Sequence, residues 1–208
     1  MAGPAGGGLT SAERPPQAAR SASPNPYDAR MKPPINTTKI VAGAGVKVVS
    51  YREEFRSAFE RLNREWIETY FVLEDADREV LGDPQGKILD PGGQVLFVLE
   101  RDEVLGTCAV LRHDADTYEI AKMAVAAAAR GRGLGDLLME AAVAFASEAG
   151  ARRIVIVSNT VLEPAIRLYL KHGFLQVPMA SDGRYRRANI RLERQLPTPG
   201  VSSPAEAG

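Results

Sequence analysis

The sequence of 208 residues contains a single cysteine, Cys108, and only two histidines, His113 and His172. One cysteine excludes a disulfide within the chain, so we expect a reducing compartment, the cytoplasm. The two histidines are far apart and neither has the neighbours of a metal-binding pattern, so we predict no metal. Cys108 lies in the mostly apolar run 105–111, which predicts a buried structural thiol rather than an acyl-carrying nucleophile.

Long apolar runs and an excess of charge are also missing. No run of about 18 apolar residues is present, and residues 1–30 have no apolar signal-peptide core, so no membrane partner is expected. Lysine plus arginine and aspartate plus glutamate number 26 each. Bulk charge therefore gives no reason to expect nucleic acid as a partner.

The two ends of the chain have little material for a core. Residues 1–36 are dense in Gly, Pro, Ala and Ser, and residues 197–208 have the same character. Such segments bury too little apolar surface to offset their ordering entropy. We therefore predict a disordered tail over 1–37, a folded domain over 38–196 and a second tail over 197–208.

Within the folded domain, hydrophobic periodicity predicts alternating strands and helices. The apolar face of the first helix is predicted to hold Phe55, Phe59, Leu62, Trp66 and Tyr70. Pro- and Gly-containing residues 82–93 are predicted to be a loop. The fold class is α/β with a mixed sheet. The predicted strands are 46–51, 94–100, 104–111, 118–125, 153–157, 174–177 and 187–192, and the predicted helices are 51–71, 75–81, 134–148 and 161–171.

A glycine-rich turn, RGRGLG at 130–135, joins a predicted strand to a predicted helix. Glycines let the backbone approach a ligand, and the free N–H groups of a first helical turn point at an anion, so this turn predicts a phosphate site. The dinucleotide-binding pattern is not matched, because Leu138 stands where its third glycine would be. A P-loop is excluded because Asp136 and Leu137 follow Gly135 instead of Lys and Ser or Thr.

This turn and a second block downstream resemble the GNAT superfamily of acyl-CoA-dependent N-acyltransferases. In that family, Gln/Arg-x-x-Gly-x-Gly/Ala binds the pyrophosphate of acetyl-CoA, and Arg130, Gly133 and Gly135 fit the pattern. The family's next block is a fifth strand, a polar residue and a helix that ends in Tyr-x-x-x-Gly-Phe; residues 153–157, Asn159 and 169–174 fit it. The stretch 62–97 is similar to bacterial members, some of them fused to MarR-type regulators.

The resemblance implies a fold and a cofactor site. The fold would be a mixed, mostly antiparallel sheet of about seven strands, with strands four and five splayed apart and helices on both faces. Acetyl-CoA would bind as co-substrate in the slot between those strands, without a metal. For Arg130 and Arg132 a purely solvated side chain is the alternative, and for Asn159 a turn or N-cap role with Thr160. The expected cofactor-binding residues are Met123, Ala124, Val125, Arg130, Gly131, Arg132, Gly133, Leu134, Gly135, Asn159 and Ala165.

Two residues are candidates for the chemistry. Glu119 would be the general base, because it alternates onto the same face as apolar residues and a similarly spaced glutamate serves in the histone-acetyltransferase branch of the family. Desolvation is expected to raise its pKa; a surface or substrate-binding carboxylate is the alternative. Tyr169 would be the general acid that protonates the leaving CoA thiolate, or else a helix tyrosine packed on the sheet.

The expected function is an N-acetyltransferase that moves an acetyl group from acetyl-CoA to a primary amine by direct attack in a ternary complex. The alternative is a catalytically weak acyl-CoA-binding sensor. The acceptor would be a small-molecule or peptide amine, and family members are often dimers, so a homodimer is one expected assembly. The acids in 61–84 would form either an attractive rim for a cationic amine or an ordinary solvated helix face.

Overall fold

The computed structural model describes residues 39–40, 45–179 and 184–197. The predicted N-terminal tail, and all but the first residue of the predicted C-terminal tail, lie outside the described residues. The tail predictions therefore stay predictions.

The described residues form eight strands and four α-helices. Valine and isoleucine dominate the central strands, as expected for residues that pack on a sheet. Pro164 stands at the start of the last helix, where its missing N–H costs nothing. The elements are β1 Lys39–Ile40, β2 Val46–Ser50, α1 Arg56–Tyr70, α2 Asp75–Gly82, β3 Gln94–Glu100, β4 Glu103–Arg112, β5 Thr117–Val125, α3 Leu134–Glu148, β6 Arg153–Ser158, α4 Glu163–Lys171, β7 Leu175–Val177 and β8 Ile190–Gln195.

The eight strands form one sheet in the order β1-β2-β3-β4-β5-β6-β8-β7. Every neighbouring pair is antiparallel except β5 and β6, which are parallel. The predicted mixed, mostly antiparallel sheet of about seven strands is confirmed. The additional strand is the two-residue β1, which pairs with β2.

The parallel pair separates soon after it begins. β5 pairs with β6 only from Thr117 to Glu119, opposite residues 153–155, although β5 continues to Val125. On its other edge, β6 pairs with β8 along its whole length, from Arg153 to Ser158. The splay predicted between the fourth and fifth strands counted from Val46 is therefore present, and Glu119 lies at its apex.

Apolar side chains fill both faces of the sheet. One cluster joins the sheet to α3 and includes Phe174 and Tyr169. The other joins it to α1, where Phe55, Phe59 and Leu62 are buried as predicted. The prediction for Tyr70 is wrong, because its side chain is 47% exposed and Ile67 is buried instead.

The largest differences from the sequence prediction concern three places in the chain. The predicted loop at 82–93 contains a π-helical turn, Gln85–Leu89, whose Ile88 is fully buried. The first helix begins at Arg56 after a 3₁₀ turn, Glu53–Phe55. The last strand begins at Ile190 rather than at 187, because the Arg187 side chain is held by carboxylates of α2 and its N-cap residue.

Gly93 supports this fold through its missing side chain. A Cβ there would lie 2.3 Å from the carbonyl oxygen of Val110 and 2.7 Å from that of Ile88. Both obstacles are backbone atoms, so the chain would have to move. We expect Gly93→Ala to lower the free energy of unfolding by about 2 to 3 kcal/mol in urea denaturation.

Gly82→Ala is the matched control, since a Cβ at Gly82 meets nothing within 4 Å. It should be neutral or slightly stabilising. Equal destabilisation by the two substitutions would contradict the packing at Gly93.

Candidate active site at the diverging strands

The divergence of β5 and β6 opens a cleft in the sheet. Its walls come from β5, β6, α1, α4 and the segment 185–188. Glu119, Tyr169, Asn159 and Met123 all line this cleft. The structure thus brings together both predicted catalytic residues and two of the predicted cofactor-binding residues.

The glycine-rich turn lies between the end of β5 and the start of α3. Gly131 and Gly133 have left-handed backbones, with φ of +75° and +76°, and Gly133 is the N-cap of α3. A Cβ at either position would meet open space rather than protein. The turn therefore keeps a surface free beside the N-terminus of a 15-residue helix, and the donors and dipole there fit an anion such as a pyrophosphate.

The two arginines of this turn are held by protein groups. The Nε of Arg130 donates to the carbonyl of Val125 at 3.2 Å, and Arg132 forms an ion pair with Glu100 at 2.6 Å. Arg130 therefore ties the turn to the end of β5, whereas Arg132 ties it to β3. Neither geometry requires a phosphate, although both side chains remain partly accessible to one.

The only acid in the first turn of α3, Asp136, is neutralised locally. Lys171 donates to its carboxylate at 2.7 Å, and the Nε2 of His172 lies 2.8 Å away. The hydrogen bond from Lys171, followed by that from His172, lowers the pKa of Asp136. Its negative charge is therefore balanced, so it does not oppose an anion at the helix N-terminus.

The second half of β5 presents an open backbone edge to the cleft. Met123, Ala124 and Val125 follow the point where pairing with β6 stops. A left-handed residue, Lys122 with φ of 51°, and a register shift between Thr107 and Ala109 on β4 mark a bulge at this place. Open strand N–H and C=O groups of this kind can pair with the amides of an extended ligand.

Glu119 is 1% exposed, and donors meet one of its oxygens. The Nε2 of His113 lies 2.6 Å from Oε2, and Arg184 donates to the same oxygen at 2.7 Å. Burial acts to raise the pKa of Glu119, but these two partners together hold the pKa below its ordinary value. The predicted rise of the Glu119 pKa is therefore wrong. The alternation of side chains along the strand predicted the burial of Glu119 but not its ion pair with Arg184.

Tyr169 is 9% exposed on α4 and hydrogen-bonds with the side chain of Ser158 at the end of β6. Burial raises its pKa to about 12, so the phenol stays protonated at neutral pH. A protonated phenol beside the cleft can donate a hydrogen bond or a proton. Cys108 is fully buried, and burial raises the pKa of its thiol, as expected for a structural cysteine.

Asn159 makes the turn contacts that were the alternative to a cofactor role. Its side-chain oxygen accepts from the N–H of Val161 at 2.9 Å, and its amide nitrogen donates to the carbonyl of Arg187. A contact with pantetheine stays a prediction. Ala165 lies on the first half of α4 and packs against the core.

A buried ionic cluster beside the cleft was missed from the sequence. Asp77 of α2 is 0% exposed and accepts two hydrogen bonds from Arg187, at 2.7 and 2.8 Å. The Nζ of Lys122 donates to Asp77 at 2.7 Å and to the hydroxyl of Tyr185 at 2.9 Å. Glu74 also contacts Arg187, at 3.0 Å. The cluster therefore fixes segment 184–188 to α2 and β5.

Two signals could have suggested this cluster. Glu74 and Asp77 have capping-box spacing, which the structure confirms at the start of α2. Lys122 is a lone cation in an otherwise apolar strand end. The acids of 61–84 are thus largely paired: Glu74 and Asp77 in the cluster, and Glu65 and Glu68 with arginines of α1. This favours a solvated helix face over an attractive rim.

The described ranges lack a metal-binding cluster and a membrane-spanning helix. Those residues contain no group of three or more His, Cys, Asp or Glu side chains that could hold a metal ion. No helix among them is long and apolar enough to cross a membrane. Residues 180–183 lie outside the described part of the chain.

Asp77 generates a prediction about acid stability. Burial acts against its charge, but the hydrogen bonds from Arg187 and Lys122 lower its pKa from 3.8 to about 2. The stability it contributes, about 2 kcal/mol, is present above pH 4 and is lost as the pH falls toward 2. We expect Asp77→Asn to lower the free energy of unfolding at pH 7 by about 3 kcal/mol and to flatten its decrease between about pH 4 and pH 2.

Urea denaturation across this pH range provides the measurement. Asp75→Asn is the control, because that side chain of α2 is 99% exposed. It should change the free energy of unfolding by less than about 0.5 kcal/mol. A profile for Asp77→Asn that matches the control would show that the cluster contributes nothing.

The sequence is similar to known acetyltransferases. The model of the acetyltransferase (GNAT) family matches residues 50–174. A mycothiol acetyltransferase of Corynebacterium efficiens is 29% identical over 123 residues, and one of Corynebacterium glutamicum strain R is 34% identical over 80 residues. These alignments cover 59% and 38% of this chain, but only 42% and 27% of those relatives, so the chain spans less than half of their length.

Solved structures show the same fold. A GNAT-family acetyltransferase from Staphylococcus aureus has a TM-score of 0.67 at 17% identity, covering 73% of this chain and 99% of its own. A GNAT acetyltransferase from Elizabethkingia anophelis with acetyl-CoA bound has a TM-score of 0.51 at 18% identity, covering 74% and 100%. The family match extends over more than half of the sequence and includes the divergence of β5 and β6, so the protein belongs to the GNAT acetyltransferase family.

Proposed function

We propose that the protein is an N-acetyltransferase that transfers the acetyl group of acetyl-CoA to a primary amine by direct attack in a ternary complex. The observation that carries the proposal is the cleft at the β5–β6 divergence. A carboxylate, Glu119, and a protonated phenol, Tyr169, line that cleft, and an anion-binding turn lies at the end of β5.

The residues fit acetyl-CoA in two separate ways. Gly131 and Gly133 leave open space where side chains would stand, beside the N-terminus of α3, so a pyrophosphate can reach backbone donors. The edge of β5 at Met123 to Val125 has no strand partner in β6, so an extended pantetheine arm can pair with it. These groups would hold the thioester in the cleft between Glu119 and Tyr169.

The acceptor amine would be placed by Glu119. Because its pKa is lowered, this carboxylate is ionised at neutral pH and attracts an ammonium ion. Only the free amine has a lone pair, so the ammonium ion first loses one proton to water. As the amine nitrogen then attacks the thioester carbon it gains positive charge and becomes acidic, and the carboxylate can take the proton that it releases. Arg184 contacts the same carboxylate and must share it with, or yield it to, the incoming amine.

Tyr169 would act when the tetrahedral intermediate collapses and the carbon–sulfur bond breaks. Its proton, or a hydrogen bond from its hydroxyl, would stabilise the CoA thiolate. The hydrogen bond with Ser158 holds the hydroxyl of Tyr169 at the C-terminal end of β6. The names of the curated relatives make small-molecule amines of the mycothiol type the first acceptors to test.

Acetyl-CoA binding can be tested by thermal shift. Acetyl-CoA should raise the midpoint of unfolding and ATP should raise it less, because a ligand that binds only the folded state stabilises it. Gly133→Ala should lower the affinity for acetyl-CoA, as determined from the thermal shifts, at least tenfold. The substitution strains a left-handed residue with φ of +76° and adds a methyl group to the glycine-rich turn.

The control is Gly150→Ala, at the other end of α3. Gly150 has φ of +86° and open space around its missing Cβ, so the backbone strain is matched. Its acetyl-CoA shift should equal that of the unmodified protein. Loss of affinity in both variants would mean that strain, rather than the methyl group in the glycine-rich turn, explains the effect.

Turnover tests the role of Tyr169. We expect Tyr169→Phe to lower kcat about 10²-fold with little change in KM for acetyl-CoA, because the lost proton donor acts after binding. Release of CoA would be followed with a panel of small-molecule and peptide amines. Tyr51→Phe, which removes a hydroxyl bonded to Glu53 away from the cleft, should leave kcat unchanged.

An unchanged kcat in Tyr169→Phe would assign the tyrosine to packing alone. Absence of CoA release with every amine, together with tight acetyl-CoA binding, would support the sensor function instead. The ion pair between Arg184 and Glu119 favours this second function, because the guanidinium competes with the amine for the carboxylate.

A further inference from the structure

The burial of Glu119 raises a question about where its proton goes. If the proposed function holds, each turnover passes a proton from the acceptor nitrogen to a carboxylate that is 1% exposed. That proton must reach bulk water before the next turnover. A base buried to this extent needs a neighbour that can accept the proton and that also contacts solvent.

Two side chains among the described residues contact the carboxylate, His113 and Arg184. A guanidinium does not give up its proton in proteins, so Arg184 can neutralise the charge but cannot take a proton from Glu119. An imidazole has an ordinary pKa closest to neutral pH among the side chains, and it can take up and release a proton there. His113 is therefore the contact with the required chemistry.

The position of His113 connects the buried carboxylate with the surface. Its Nε2 lies 2.6 Å from Oε2 of Glu119, while 37% of its side chain is exposed. The backbone N–H of His113 donates to the carbonyl of Thr117 at 3.0 Å, which fixes the residue at the hairpin between β4 and β5. The ring thus extends from the protein interior to water along a single side chain.

We infer that His113 is a relay residue that carries the acceptor's proton from Glu119 to solvent. The acceptor nitrogen loses its proton to the carboxylate. The neutral ring, which donates from Nε2 to the ionised carboxylate, shifts its own proton to Nδ1 by exchange with water, and Nε2 then accepts the proton of the carboxyl group. The result is an ionised Glu119 beside an imidazolium. The imidazolium then releases the Nδ1 proton to water, which restores the Nε2–H tautomer, so charge and protons balance over the cycle.

Arg184 suits this arrangement because it shares Oε2 with His113. Its fixed positive charge favours the ionised carboxylate and thereby favours transfer of the proton onward to the ring. The acceptor would meet the carboxylate from the cleft, which Glu119 lines. His113 acts through Glu119 and does not itself contact the acceptor.

Chemical rescue separates a relay from a structural support. We expect His113→Ala to lower kcat about 10- to 100-fold with unchanged KM for acetyl-CoA. Free imidazole should restore kcat in proportion to its concentration, because it can carry the proton in place of the ring. The salt 1,3-dimethylimidazolium chloride, which cannot carry a proton, should restore nothing.

A second variant distinguishes loss of the relay from loss of folding. His113→Gln keeps an N–H that can bond to Glu119 but cannot carry a proton, so it should lose as much kcat as His113→Ala while keeping the unfolding midpoint. Full activity in His113→Gln would overturn the relay and leave a structural hydrogen bond. Loss of activity that imidazole does not restore in His113→Ala would overturn it as well.

Glu119→Gln distinguishes failure of the relay from failure of the proposed base. It should be inactive and should not respond to imidazole. An inactive Glu119→Gln with a fully active His113→Ala would overturn the relay alone. A fully active Glu119→Gln would overturn both the base and the relay.

Discussion

The structure depends on a constraint of strand pairing: β5 and β6 can share hydrogen bonds for only three residue pairs, from Thr117 to Glu119. Beyond that point each strand keeps the antiparallel partner on its outer edge, β8 for β6 and β4 for β5, while the facing edges of β5 and β6 stay apart. The cleft, its open backbone edge and the position of Glu119 all follow from this divergence. A parallel pair that continued to Val125 would remove the site.

Electrostatic pairing determines what the cleft can hold. Asp77, Lys122 and Arg187 form a buried cluster that joins α2, β5 and the segment before β8. Removing one member leaves the other charges buried without compensation, which costs more than the cluster contributes. The same logic applies to Glu119, whose burial is tolerated because His113 and Arg184 contact it. The charged side chains in and beside the cleft are therefore paired with opposite charges.

The local pattern of the sequence was enough to predict most of the sheet and the position of the glycine-rich turn between β5 and α3. Strand periodicity and the RGRGLG turn depend on neighbours in the chain, so β3 to β6 and the start of α3 are recovered closely. The wrong expectations involve distant partners. The pKa of Glu119 depends on Arg184, which is 65 residues away, and the start of β8 depends on Arg187 and Asp77, which are 110 residues apart.

The same reason explains which site residues were missed. His113 lies in the polar hairpin between β4 and β5, and Lys122 lies within β5; only the folded register gives them partners. Ser158 follows an apolar strand and becomes informative only when Tyr169 of α4 contacts it. Motif matching finds residues whose role lies in the backbone, such as Gly133, more readily than residues whose role lies in a tertiary contact.

A crystal structure with CoA and an acceptor amine tests the central claim most directly. The account predicts the pyrophosphate at the turn 130–135, the pantetheine amides paired with Met123 to Val125, and the amine nitrogen within about 3 Å of Glu119. The sulfur should lie at hydrogen-bond distance from the hydroxyl of Tyr169. CoA bound outside the β5–β6 cleft, or an amine held away from Glu119 with Arg184 still in place, would contradict it.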